Sequence, residues 1–383
     1  MKIKFFCILF IFSIFRFSYA QNQDHFSILY LLPLQINASE KDINAYSTEL
    51  DIYADSQFQM LDFWKGAQLA LQEYDMSDKQ IRVIVRDVFN NSTKIGEIFR
   101  DDALMEDVKL IIGPFLAADF AEAARFAKER EIPIVNPFST RTDFLTDNPY
   151  VYKISPSKYA APQAIYNTFL SDNNHNMILW YDKAYLEKEG KCYVDYFTQN
   201  GITFKKCQVS GSLSELKSLL SSEKQNIIIS LYKNESVVLN QMRLLSNYLN
   251  PVNLENRENV DSTTMIFFPK EWLKYHLLDT DFYGLSNLFY FSSTYIDDAD
   301  EVTLNFQLKY IEQYASAPNT ENFAYQGYDI TKYFMEALLG HFTPAKLTAS
   351  RYNFHKIPDG GFENDRVRII QIKDYKQKEY LPN

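Results

Sequence analysis

Side chains that could do covalent or metal chemistry are present in this chain but scattered. The five histidines stand at 25, 175, 276, 341 and 355, none at a metal-ligating spacing, and each reads as a surface or hydrogen-bonded histidine. There is no GxSxG nucleophile elbow, no HExxH pair, no Walker phosphate loop and no GxGxxG after a strand. The acidic residues form no paired constellation. This favours binding over catalysis, with no cofactor and no metal expected, and leaves an unrecognised hydrolase as a remote alternative. The chemistry that remains is non-covalent. Two stretches carry it, Gly113-Pro114-Phe115 and Asn136-Pro137-Phe138-Ser139-Thr140, where aromatic faces and hydroxyls stand beside chain-breaking prolines.

The elements around these stretches say where they must lie. Residues 108–112 are a short β-branched run stopped by Gly113-Pro114. Leu116, Phe120, Ala123, Ala124 and Ala127 then mark one face of a helix, and 132–135 is a second buried-type strand stopped by Pro137. Strand, helix and strand with short links make a βαβ unit, which builds a parallel sheet. Ligands of such sheets sit beyond the carboxyl ends of the strands. Two readings stand for the pair of tips: one wall of a binding cleft, or ordinary turns. The same alternation starts at strand 28–32, with a helix carrying Phe63, Ala67, Ala70, Leu71 and Tyr74 and a strand at 81–85. Gly66 within that helix reads as a close contact with the sheet. A helix is expected over 93–105. After residue 140 the rhythm breaks at a crossing segment, 150–154, then resumes through strands at 177–180, 203–207, 227–231, 264–268 and 288–291. The acidic stretch 35–57 leaves the first strand end, and reads equally as a lid or a plain loop.

At 383 residues the chain is long enough for about two domains. The formal net charge of -10 argues against a nucleic-acid partner and gives no general attraction to an anionic membrane. Residues 1–20 read as an export signal: Lys2 and Lys4, an apolar run, then Ser18-Tyr19-Ala20 with cleavage expected after Ala20. The run is too short for a stable anchor. We therefore expect an exported, periplasmic protein with no direct membrane anchor. Cys7 falls in the signal, leaving Cys192 and Cys207. An even pair in an exported chain suggests a disulfide between a helix start and the end of the next strand. The other reading is two buried thiols.

Further residues carry a resemblance: Trp64-Lys65-Gly66-Ala67, Asp87, Ile111-Ile112-Gly113-Pro114, Ile132-Pro133-Ile134-Val135 and Pro137. With these the chain resembles the type I periplasmic binding proteins, the branched-chain amino-acid receptor class. It also looks like exported receptor-like proteins of Bacteroidetes, some fused to LysM modules, through Leu31-Leu32-Pro33, Asn148-Pro149-Tyr150-Val151, Phe323-Ala324-Tyr325-Gln326-Gly327-Tyr328-Asp329 and Gly360-Gly361-Phe362-Glu363-Asn364. The resemblance implies an α/β chain of two lobes, each a parallel sheet flanked by helices, joined by three crossovers and closing on a ligand by hinge motion. We expect lobe 1 over 25–149 plus about 285–340, and lobe 2 over 150–284 plus about 341–383.

The resemblance also implies site residues. The hydroxyl tip that holds a ligand carboxylate in the receptors falls at Thr140, beside Ser139, while the loop after Gly113 has no hydroxyl. The aromatic after Asp182-Lys183 falls at Tyr185. The acid that holds the ligand ammonium falls at Lys270, a charge reversal, with Glu271 adjacent. Adding the strand-end aromatics, the expected ligand-binding residues are Phe115, Phe138, Ser139, Thr140, Tyr185, Tyr232, Lys270 and Trp272. Each has a second reading: Phe115 and Phe138 as plugs of the lobe, Trp272 as core and Tyr232 as a strand cap. With Lys270 at the acid's place an amino-acid zwitterion would lack its cation partner. The function expected is therefore a solute receptor for a small polar or aromatic molecule, amino-acid-like ligands included, that presents it to a membrane partner such as an ABC-type permease. The alternative is a protein-interaction module in envelope or peptidoglycan assembly.

Overall fold

The computed structural model describes residues 25–34, 56–74, 81–88, 92–170, 174–249, 264–275, 280–283, 285, 287–319, 323–341, 346–373 and 375–381. The expected export signal, most of the 35–57 stretch and His276 lie outside the described residues.

Two seven-stranded sheets carry the fold. The first contains β1 (Phe26–Leu32), β2 (Ile81–Asp87), β3 (Val108–Ile112), β4 (Ile134–Asn136) and β5 (Val151–Lys153). The second contains β6 (His175–Tyr181), β7 (Lys205–Gln208), β8 (Gln225–Leu231), β9 (Thr264–Phe267) and β10 (Leu288–Ser292). Each set of five is parallel throughout. Four late strands complete the sheets: β11 (Phe354–Lys356) and β12 (Phe362–Asn364) in the first, β13 (Arg368–Lys373) and β14 (Lys376–Glu379) in the second. The orders are β2-β1-β3-β4-β5-β12-β11 and β7-β6-β8-β9-β10-β13-β14, so the two sheets wind alike. They differ in one pairing: β12 runs parallel to β5, whereas β13 runs antiparallel to β10.

Strands buried on both faces need apolar residues without a break, and β1 supplies them over residues 28–32, ILYLL. Leu29 and Leu31 face Phe120 and Ala123 of α4 (Ala117–Glu129), in a layer shared with α2 (Ser92–Arg100). Ile28, Tyr30 and Leu32 face the opposite layer, α1 (Ser56–Leu71) and α12 (Phe323–Leu338). The helix expected over 93–105 is two pieces. Asp101 breaks it by capping α3 (Asp102–Met105), where its carboxylate accepts the Leu104 N–H. Gly66 meets a helix rather than the sheet. A Cβ there would lie 1.8 Å from the Ala324 carbonyl oxygen, and one at Gly327 would lie 1.9 Å from that of Phe63. The two glycines let α1 and α12 touch backbone to backbone.

In the second lobe, α5 (Ala160–Phe169) and α7 (Lys191–Gln199) cover the face bearing Met177 and Leu179. The face of Ile178 and Trp180 is covered by α8 (Ser214–Leu219) and α9 (Glu235–Leu249), with α10 (Thr280–Tyr283) beyond β9, while α6 (Lys183–Glu187) sets Tyr185 and Leu186 on the Leu179 face at the β6 end. The expected disulfide is not formed. Cys192 and Cys207 are free, buried thiols. Cys207 points into the layer of Trp180, whereas the helix of Cys192 packs its Phe197 on the opposite face, so the sheet stands between them. Burial pushes each thiol up to about 11.

The chain passes between sheets three times, after β5, after β10 and between β12 and β13. Pairing moves the expected lobe boundaries. β5, assigned above to lobe 2, pairs with β4 and β12 in the first sheet. β10, assigned to lobe 1, pairs with β9 and β13 in the second. The segment 341–383 is divided between the lobes. α11 (Glu301–Tyr314) belongs with the first lobe, where the Tyr310 hydroxyl donates to Asp62 at 2.8 Å.

Candidate functional site

The crossings decide which ends of the sheets meet. The chain leaves β5 and β12 at their carboxyl ends to enter the second lobe, and leaves β10 at its carboxyl end to return to the first. The carboxyl ends of both parallel sheets therefore border one gap, where an α/β sheet presents its ligand-binding loops.

Buried polar groups tie the crossings together. Lys153, fully buried, donates to Glu363 at 2.8 Å and to the Ser155 carbonyl. Asn364 donates to the Ile154 carbonyl at 2.8 Å and accepts the Asn353 and Arg366 N–H groups. Asp329 of α12 accepts four hydrogen bonds from the 348–350 segment, through Thr348 N and Oγ1, Ala349 N and Ser350 N. That segment pairs with the second crossing through Thr294 and Ser350. Arg368 then reaches from β13 to the carbonyls of Ala349 (2.7 Å) and Tyr295 (3.1 Å), and to Glu379 at 2.6 Å.

On the first lobe the two expected tips come together. Phe115 and Phe138 meet edge to face at 5.0 Å, both touch Phe63, and Phe138 also meets Phe323 at 5.3 Å. Gly113 makes the turn with φ 92, and a Cβ there would lie 2.3 Å from the Leu31 carbonyl oxygen, so only glycine fits. Phe115 is buried and Phe138 half-buried, which matches the plug reading for Phe115. Asn136 accepts the Ser139 N–H at 2.7 Å, shaping the tip, and its buried amide nitrogen has no partner among the described residues. Ser139 is half-buried, and its hydroxyl accepts the Arg141 N–H; Thr140 is exposed.

On the second lobe the expected residues divide. Tyr232 and Trp272 are fully buried, 5.0 Å apart, with the indole N–H donating to the Tyr232 carbonyl at 3.0 Å. They pack with Trp180 and Phe268. Both are core rather than cleft lining. Lys270 is exposed and donates to the Ser292 hydroxyl at 3.0 Å, at the second crossing. Tyr185 is half-buried on α6, which Asp182 caps. Its phenol is pushed well up, first by burial and then by the charges of Glu271 and Glu189.

Three groups beside Tyr185 escaped the sequence reading. Lys233 pairs with Glu189 at 2.8 Å and lies 5.7 Å from the Tyr185 ring centre. The Tyr275 hydroxyl donates to the Lys233 carbonyl at 2.5 Å. Position just past β8 was the signal that could have found Lys233, by the same strand-end rule that pointed to Phe115. The second-lobe cluster is thus a tyrosine face framed by one cation and two carboxylates. No group of three metal-capable side chains exists among the described residues, and no described helix is long and apolar enough to cross a membrane.

No family model matches the chain, and no curated protein matches it. Solved structures do. A protein from Rhodospirillum rubrum described as a candidate branched-chain amino acid ABC transporter superposes with TM-score 0.61 at 10% identity, over 93% of this chain and 99% of that one. An ABC transporter substrate-binding protein from Desulfitobacterium hafniense gives 0.52 at 17% identity, over 93% and 99%. The C-domain of LpoA from Haemophilus influenzae, a regulator of PBP1A, gives 0.53 at 14% identity, over 93% and 100%. The fold is the two-lobed one of the type I periplasmic binding proteins.

Proposed function

We propose that this chain is an exported receptor that binds a small, amino-acid-like molecule between its lobes and presents it to a membrane permease. The observation that carries the reading is the placing of all three crossings at carboxyl strand ends, which makes both sets of tips border one gap. The first lobe offers Ser139, Thr140 and the Phe138 edge. The second offers Tyr185 with Lys233, Glu189 and Glu271. In this reading Glu271, which acts on Tyr185, supplies the acid for a ligand ammonium, and Lys270 is occupied at the crossing. Hinge bending at the three crossings closes the gap.

The test is a thermal-shift screen of free amino acids and related metabolites, repeated with Tyr185→Ala and Glu271→Gln. A stabilising ligand whose effect both variants reduce is expected. A ligand whose effect neither variant changes would remove the proposed site.

A second reading, an envelope protein-interaction module without transport, is favoured by the four-phenylalanine cluster at the first-lobe tip and by the likeness to the LpoA C-domain. Pull-down from envelope extracts separates the two. Recovery of a permease alone eliminates the second reading.

A further inference from the structure

The outer face of α11 carries an apolar ridge that the fold does not use. Its inner face is spent on Thr303, Phe306 and Tyr310, all buried. Outside, Leu304 is 42% exposed, Leu308 64% and Ile311 46%. The spacing of four and three sets them in one row. Among the described residues eight large hydrophobic side chains are exposed, and three of the eight stand on this one helix face. Scattered singles would need no explanation; a row does. From Leu304 to exposed Ala315 the ridge runs roughly 16 Å at the helical rise, about three turns.

The charges around the row say what it can accept. Glu301 and Glu312 are exposed on the same face, and Asp297 and Asp298 are exposed just before the helix. The cation on this helix, Lys309, is engaged by Glu73 at 2.9 Å. The frame is therefore acidic. That disfavours a second copy of a chain with net charge -10, which would bring the same frame against itself, and it disfavours an anionic lipid surface.

We propose that the Leu304–Leu308–Ile311 ridge docks a partner protein through an amphipathic helix whose apolar row is flanked by lysines or arginines. The ridge lies on the first lobe, on the face of α11 turned from Phe306 and Tyr310, and the proposal does not rest on what the gap binds.

The test uses the mature chain and a synthetic helical peptide with leucines at i, i+4 and i+7 flanked by lysines, against the same peptide with glutamates. Fluorescence anisotropy should show binding of the lysine peptide only, weakened as salt rises. Leu308→Asp should weaken it at least about tenfold, a change of about 1.4 kcal/mol. Glu301→Lys with Glu312→Lys should weaken it as well. Circular dichroism checks that each variant is folded, and Leu308→Gln replaces Leu308→Asp if that variant is not. Absence of binding, equal binding of both peptides, or binding indifferent to Leu308 overturns the proposal. So does sedimentation showing a dimer that Leu308→Asp dissolves, which would make the occupant a second copy.

Discussion

Strands β3 and β8 hold the same place in the same winding and end in opposite chemistry. β3 ends in Gly113-Pro114-Phe115, and the phenyl ring turns into a cluster with Phe63 and Phe138. β8 ends in Tyr232-Lys233; the tyrosine turns inward to Trp272, and the lysine stays at the surface, paired with Glu189 beside Tyr185. The neighbouring pair of tips repeats the contrast, with Phe138 after β4 and Lys270 after β9. One topology thus presents a phenylalanine-filled wall rimmed by Ser139 and Thr140 on one side and a charged, tyrosine-bearing one on the other. In the receptor proposed above, polar discrimination would fall to the second lobe and shape to the first.

Experiments that separate the lobes test this, and the largest effect is expected in the first. Gly327→Val places side-chain carbon where the Phe63 carbonyl already lies, so it should cost about 4 kcal/mol or more, or abolish folding. Urea unfolding giving a loss below about 1 kcal/mol would show that α1 and α12 can separate cheaply. Next is the buried pair at the first crossing. Glu363→Gln leaves Lys153 buried without its counterion and should cost about 3–5 kcal/mol, whereas Lys153→Met with Glu363→Leu should recover most of the loss. If the double variant is no more stable than the single one, the penalty does not come from an unpaired charge.

Trp272 and Tyr185 then sharpen the contrast within the second lobe. Trp272→Ala should lose about 3–5 kcal/mol, as core truncations do. Tyr185→Ala, at a half-buried position, should lose less than about 1.5 kcal/mol while reducing ligand-induced stabilisation. Reversed sizes would place Tyr185 in the core and Trp272 in the gap. The thiols should show a smaller effect. With both buried and pushed up to about 11, a disulfide-exchange reagent should label neither in the folded state, and reductant should leave the melting temperature unchanged. A reductant-sensitive melt would restore the disulfide.

A small effect is also expected at Glu73. Burial pushes its carboxyl up, but hydrogen bonds from Lys332, Lys309 and Tyr328 outweigh it and hold the group below its usual range. A depressed carboxyl stabilises the folded state above its unfolded pKa, and that contribution is lost as pH falls through the folded value. Lys332→Gln should therefore lower stability by about 1 kcal/mol or less at neutral pH. Its difference from the parent chain should shrink in acid, and melting curves showing a difference that grows in acid contradict the assignment.

Much of this molecule is written locally. Apolar runs such as ILYLL and LII, closed by glycine or proline, specify strands because a doubly covered parallel strand needs both of its faces apolar. The helix face of Phe120, Ala123 and Ala127 follows from its spacing, and strand-end position put Phe115 and Phe138 at neighbouring tips, while their ring contact is seen only in the folded chain. Other features were beyond local pattern. Which sheet β5, β10 and the late strands join depends on pairing with segments up to about two hundred residues away, as β12 does with β5. Tyr232 and Trp272 stand just past strand ends, where a side chain can turn to core or gap, and the aromatic layer beneath decided for the core. The two cysteines have a plausible sequence separation for a bridge, but a sheet lies between them. The alternation of strand and helix was thus determined by sequence, since period and punctuation act over a few residues. The lining of the gap was decided by the tertiary structure, since burial at a strand end depends on what else in the chain arrives there.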